Sequence, residues 1–128
     1  MSFSLLCMIS LVTTLPFGLA FLFVPEYISS HYSIAGWNSG TASVARLFGI
    51  ELLYVAGASF GLMRCTDVRV QRRIAVAFSL VSALATVVVI QTILSGAAGP
   101  FHWTTAALYV FFAVAWGLFA MRHDPSHT

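Results

Sequence analysis

The sequence predicts an all-α integral membrane protein, an up-down bundle of four helices that forms a single domain over residues 1–128. Hydrophobic residues make up 59% of the 128 residues, against about 45–50% in an ordinary soluble domain. Charged residues make up only 8%, against about 25%. Four long apolar stretches alternate with short polar ones. These observations argue against a water-soluble domain, and they exclude intrinsic disorder, which requires low hydrophobicity and high charge.

Each apolar stretch is long enough for one membrane helix, which needs about 20 residues. The predicted spans are residues 3–24, 41–63, 74–94 and 103–121. Proline, glycine or arginine clusters separate them. The first span has no basic segment before it and no polar segment after a cleavage site, so we interpret it as a membrane helix and not as a signal peptide.

The arginines predict the orientation, because cytoplasmic loops of membrane proteins carry an excess of lysine and arginine. Four of the six arginines lie in segment 64–73, and Arg122 follows the last span. Segments 25–40 and 95–102 contain no lysine or arginine. We therefore predict a cytoplasmic loop at 64–73, an outer loop at 25–40 and both termini in the cytoplasm.

Small residues predict how the spans pack. Short connections place consecutive helices side by side, and small side chains let helices approach closely in lipid. Such residues recur along the second, third and fourth spans: Ala45, Gly49, Gly57 and Gly61; Ala75, Ser79, Ser82 and Thr86; Ala106, Ala113, Gly117 and Ala120. We expect the lipid bilayer as the surroundings, and a second copy or another membrane protein as a partner.

Two charged residues, Arg46 and Glu51, lie inside the second span, where a central arginine costs about 2.5–3.5 kcal/mol. Glu51 falls near the middle of the span, and Arg46 lies roughly 9 Å nearer the outside. Their spacing rotates them about 140° apart around the helix, so they do not pair with each other. We expect no cation at the depth of Glu51, and therefore a mainly neutral carboxyl group, because burial disfavours the charged form.

Polar residues at similar depths predict a ligand pocket in the outer half of the bundle, lined by Glu26, Arg46, Glu51, Gln91 and Tyr109. Arg46 would anchor an anionic or carbonyl group of the ligand, and Glu26 would hold its guanidinium. Glu51 would donate a hydrogen bond from the floor, while Gln91 and Tyr109 would orient the ligand. In a simpler interpretation, Arg46 reaches out to Glu26 or to a lipid phosphate, and Glu51 only links helices.

The predicted function is the binding of a small or lipophilic ligand, alone or as a subunit of a membrane complex. One alternative is a membrane-embedded enzyme, of isomerase or cyclase type, that acts on an isoprenoid or quinone-like substrate with Glu51 as the catalytic general acid. A second is a proton-coupled transporter, and a third is a purely structural accessory subunit. No nucleic-acid partner is expected, because the arginines lie at the ends of the spans.

No metal or cofactor is predicted. His31 and His102 fall in the two outer loops, where Glu26 could join them, but their spacing matches no metal-binding motif. A haem held by two buried histidines is disfavoured, because every histidine lies outside the spans or at their ends.

Short motifs run through the first three spans. Pro25 and Glu26 close the first; the second contains Ala-Arg-Leu-Phe-Gly at 45–49, then Leu52, Leu53 and Gly57; Arg72 and Arg73 open the third. In these positions the chain resembles a broad group of small bacterial four-helix membrane proteins, the DoxX-like proteins and their relatives. The resemblance implies a four-helix bundle in a bacterial inner membrane and marks Glu26 and Arg46 as pattern positions. It implies no particular activity, so it transfers no catalytic residue.

Overall fold

The computed structural model describes residues 1–32 and 36–122, which form helices joined by short connections. The helices are α1 (Phe3–Phe23), α2 (Pro25–Ser30), α3 (Ser39–Leu62), α4 (Val68–Leu94) and α5 (Pro100–Arg122). All but α2 are long and apolar enough to cross a membrane. The predicted all-helical class with four long apolar helices is confirmed, and the described residues contain no strand.

α1 begins where its span is predicted to begin, whereas the other three long helices begin earlier. For α3 and α4 the reason is a polar cap residue. The side chain of Asn38 accepts hydrogen bonds from the backbone of Gly40 and Thr41, so α3 begins at Ser39. The Asp67 carboxylate accepts from the backbone of Arg69 and satisfies a free N–H of the first turn. The first turn and a half of α4 therefore lies inside the segment predicted as a loop.

The segment predicted as the outer loop contains the short helix α2. Pro25 occupies its first position, where the fixed φ of proline suits a helix and the missing N–H costs nothing. After α2, the chain turns and joins α5. The His31 carbonyl accepts from the backbone N–H of Phe101 at 3.3 Å, and the hydroxyl groups of Tyr32 and Thr105 are 2.7 Å apart. These two bonds fasten the turn to the start of α5.

The four long helices form two antiparallel pairs, α1 with α3 and α4 with α5, and α1 also contacts α5. Consecutive long helices therefore pack as predicted within each pair. By contrast, α3 and α4 are joined by a short connection but do not pack closely against each other. A groove separates them at one end of the molecule.

Small residues bring the paired helices together. In the first pair, a Cβ atom added to Gly49 would lie 2.8 Å from the backbone oxygen of Gly18. In the second pair, the Ser79 hydroxyl donates to the Ala113 carbonyl at 2.7 Å. A Cβ atom added to Gly117 would lie 3.1 Å from the same hydroxyl oxygen. Each pair thus depends on a small residue at its crossing.

The two ends of the molecule are packed differently. We call the end that carries segment 64–73 the arginine end and the opposite end the α2 end. The main core extends from the arginine end to the middle, where Trp116 is 1% exposed and packs edge-on against Phe3 and Phe78. The cluster at the α2 end is smaller, with Phe21, Ile28 and Ala45 as its buried members. The sparser packing there leaves room for cavities.

Candidate ligand-binding site

The largest described cavity is the space between α3 and α4 at the α2 end, which we call the α3–α4 groove. It measures about 760 Å³, within the range of about 300–1,000 Å³ typical of small-molecule sites. Its α3 wall includes Val44 and Phe48, and its α4 wall includes Ala85, Val88 and Val89. These walls are mostly apolar, with Thr41 on α3 and Thr92 on α4 as polar members, and Ala85 contributes only a methyl group. The groove could therefore hold an apolar group between the two helices.

The floor of the α3–α4 groove carries hydrogen-bonding groups. Tyr32, His102, Thr105 and Tyr109 all line it, and the hydroxyl groups of Tyr32 and Thr105 are bonded to each other. The Nδ1 atom of His102 accepts from the backbone N–H of Gly99 at 3.0 Å. In the neutral ring the proton is therefore on Nε2, which can donate.

The Tyr32 hydroxyl stays protonated at neutral pH. Burial raises its pKa, because the low-dielectric surroundings disfavour the phenolate, while the hydrogen bond with Thr105 lowers it to a smaller extent. Among the residues that the structure describes, no Asp, Glu, Lys or Arg lines the groove. The floor thus offers neutral donors and acceptors, and it suits a hydroxyl or carbonyl group better than an ion.

A smaller cavity of about 60 Å³ adjoins the groove, between α1, α3 and α5. The two spaces share Phe21, Tyr32, Phe48, Thr105 and Tyr109. Its α1 side includes Thr13 and Thr14, whose hydroxyl groups donate to carbonyls of their own helix at 2.7–2.8 Å. Their oxygen lone pairs can still accept a hydrogen bond. Polar groups therefore continue from the floor of the groove into the interior.

The structure divides the five predicted site residues. Tyr109 lines both the α3–α4 groove and the smaller cavity. Glu26 and Arg46 share a different groove of about 580 Å³ beside α2. Gln91 and Glu51 are exposed and line neither groove. The depth of a residue in a span predicts its height in the molecule but not the side of the helix on which it lies.

Glu51 nevertheless lies on the same face of α3 as the wall of the α3–α4 groove. Val44, Phe48, Glu51 and Val55 follow one another at spacings of four, three and four residues, which places them along one stripe of a helix. Glu51 therefore lies about one turn beyond the groove, toward the arginine end. Arg46 lies on another side of α3, in agreement with the predicted angle between Arg46 and Glu51 around the helix axis.

Sequence reasoning missed most of the groove floor. His102, Thr105 and Tyr109 are spaced three and four residues apart, so they share one face of α5, and that pattern was available in the sequence. Tyr32 was not predictable in the same way, because its position depends on how the turn after α2 folds back on α5.

The described residues contain no group of three or more His, Cys, Asp or Glu side chains placed to hold a metal ion. Aromatic neighbours account for the positions of His31 and His102. His31 stacks on Phe101 with ring centres 4.7 Å apart, and His102 meets the Tyr32 ring at 5.0 Å. No protein family, curated protein or solved structure matches the chain.

Proposed function

We propose that this protein spans a bacterial inner membrane with both termini in the cytoplasm and binds a neutral lipophilic ligand in the α3–α4 groove. The observation that carries the proposal is the groove itself, an open space with mostly apolar walls and a hydrogen-bonding floor. Because α3 and α4 do not pack closely against each other, an apolar group can enter between them and contact both walls.

The distribution of charged and aromatic residues supports the proposed orientation. Five arginines, the four of segment 64–73 and Arg122, lie at the arginine end, and the connections at the α2 end contain no lysine or arginine. Tyr27 and Trp103 at the α2 end are each 65% exposed. Exposed aromatic rings of this kind are enriched at membrane interfaces. With this orientation, the α3–α4 groove opens sideways into the outer leaflet.

The lining of the groove supports a ligand with a long apolar part and one neutral polar group. The exposed valines, such as Val44 at 67% and Val88 at 61%, would pack along an acyl or isoprenoid chain that enters from the bilayer. Thr105 and Tyr109 would bond a hydroxyl or carbonyl group at the floor. In this proposal Tyr109 keeps its predicted orienting role, while Arg46 and Gln91 do not contact the ligand.

The enzyme and the transporter remain alternatives, and both would use the Glu51 carboxyl group. This residue lines neither the groove nor the smaller cavity, so neither alternative has a described substrate space around its acid. A structural accessory subunit would leave the groove to a helix of another chain. The ligand proposal differs from it in requiring the polar floor.

The experiment is photolabelling in lipid nanodiscs with a diazirine derivative of farnesol, an isoprenoid alcohol. We expect labelling of Val44, Val88 and neighbouring groove residues that excess unlabelled farnesol suppresses. Ala85→Trp fills the groove and should lower this labelling by about tenfold or more, as expected for a loss above about 1.4 kcal/mol. Ala83→Trp is the matched control, because Ala83 is exposed on α4 and does not line the groove.

Tyr109→Phe separates ligand recognition from simple partition into lipid. The substitution keeps the ring but removes the hydroxyl group, so affinity should fall by about 0.5–1.5 kcal/mol. Labelling that does not saturate, or that is equal in Ala85→Trp and Ala83→Trp, would contradict the proposal.

A further inference from the structure

The groove beside α2, which we call the α2 groove, contains two opposite charges that are not paired with each other. Glu26 and Arg46 both line it, together with Phe23, Tyr27 and Trp37. Both charged side chains are exposed. Among the described residues, neither has an ion-pair partner. The groove therefore presents one anion and one cation and has no net charge.

The order of these charges along the membrane normal is defined by the helices that carry them. Glu26 follows directly on the end of α1, at the second position of α2. Arg46 lies three residues before Gly49 on α3. A Cβ atom added to Gly49 would lie 2.9 Å from the Leu22 nitrogen, so in this antiparallel pair Arg46 is level with the end of α1 and Glu26 lies beyond it. If the α2 end faces the outer leaflet, the carboxylate is nearer the water and the guanidinium is nearer the hydrocarbon core.

We propose that the α2 groove binds the phosphoethanolamine headgroup of a membrane phospholipid. In such a lipid the phosphate is nearer the acyl chains and the ammonium group is nearer the water, which is the order of Arg46 and Glu26. The guanidinium of Arg46 binds the phosphate through two parallel hydrogen bonds. The ammonium group donates to the Glu26 carboxylate and lies against the aromatic rings of Tyr27 and Trp37, whose faces attract cations.

The charges also disfavour an anionic lipid. Phosphatidylglycerol could bind Arg46, but it has no cation for Glu26, and its phosphate would repel the carboxylate. A zwitterionic headgroup satisfies both residues at once. This inference depends on the proposed membrane orientation but not on the ligand of the α3–α4 groove.

The test is native mass spectrometry of the detergent-solubilised protein with equal amounts of phosphatidylethanolamine and phosphatidylglycerol. We expect the unmodified chain to retain phosphatidylethanolamine about tenfold better, which is the size of effect that one charge-assisted hydrogen bond produces. Glu26→Gln should abolish this preference, and Arg46→Gln should lower retention of both lipids. Glu51→Gln and Arg64→Gln are the matched controls outside the groove, and both should keep the preference.

A soluble compound with the same headgroup could use the same residues, so glycerophosphoethanolamine is added in a separate arm. Retention of the lipid identifies the bilayer as the source of the bound headgroup. Binding of the soluble compound without lipid retention identifies a free phosphoethanolamine compound and supports the recognition chemistry. Equal retention of the two lipids without binding of the soluble compound overturns the proposal, and so does a Glu26→Gln variant that behaves like Glu51→Gln. Circular dichroism checks that each variant is folded, and farnesol labelling should be unchanged in Glu26→Gln.

Discussion

At the scale of the residue, Gly49 shows that the absence of one side chain allows two helices to pack closely. The backbones of α1 and α3 approach so closely that a Cβ atom at this position would lie 2.8 Å from the Gly18 oxygen and 2.9 Å from the Leu22 nitrogen. Backbone atoms cannot move aside as the tip of a flexible side chain can. Gly57 and Gly61 follow on the same helix, but a Cβ atom there meets nothing within 4 Å. The predicted stripe of small residues is therefore close-packed only in part within this chain.

Gly49→Ala should destabilise the protein, and Gly57→Ala should not. Overpacking of this kind typically costs about 1–3 kcal/mol. At Gly57 the added methyl group meets open space and favours the helix by about 0.5–1 kcal/mol. Titration with sodium dodecyl sulfate, followed by circular dichroism, measures both free energies of unfolding. Equal effects of the two substitutions would show that α1 and α3 are not in contact at Gly49.

At the scale of the helix, α4 depends on a single partner. Ala75 is its one buried residue, and its packing is almost entirely against α5. The hydrogen bond from the Ser79 hydroxyl to the Ala113 carbonyl joins the two helices at their crossing. α4 is longer than the apolar stretch from which it was predicted. The Asp67 cap lets the helix begin within the polar residues that precede that stretch.

Ser79→Ala should weaken the pairing of α4 with α5. Hydrogen bonds between membrane helices contribute about 0.6 kcal/mol on average and about 1.7 kcal/mol at most, so we expect a loss of stability in this range. Ser82→Ala is the matched control, because no bond joins the Ser82 hydroxyl to another helix among the described residues. The same detergent titration measures both variants. A loss in Ser82→Ala as large as that in Ser79→Ala would contradict the role given to the hydrogen bond.

At the scale of the whole molecule, the packed core and the cavities lie toward opposite ends. Aromatic side chains around Trp116 fill the arginine end, while the α3–α4 groove and the α2 groove open at the α2 end. In the proposed orientation, the densely packed cytoplasmic half would hold the helices together and leave the outer half free to bind ligands. That arrangement makes the orientation of the chain in the membrane central to both proposals.

Cysteine labelling tests the orientation directly. In a chain with Cys7→Ser and Cys65→Ser, we expect Ser95→Cys to react with a membrane-impermeant maleimide on intact spheroplasts. Thr66→Cys should react only after lysis, because the proposed orientation places the arginine-rich connection in the cytoplasm. Both positions are exposed, so accessibility within the protein does not limit either reaction. Labelling of Thr66→Cys in intact spheroplasts, with Ser95→Cys protected, would reverse the proposed topology.

The sequence by itself determined the helical class, the four long apolar helices and which residues carry the few charges. It could do so because hydropathy and composition are sums over local stretches of chain. The cap residues Asn38 and Asp67 can also be recognised from the local sequence, although hydropathy alone predicted starts for α3 and α4 that are too late.

Only the tertiary structure decided which polar residues meet. Residues at one depth can lie on opposite sides of their helices, so Glu26 and Arg46 share one groove while Tyr109 lines another. The gap between α3 and α4 likewise follows from how the two helix pairs are joined through α1 and α5. Contacts between helices depend on rotation about each axis and on the choice of neighbour, and hydropathy along one chain encodes neither.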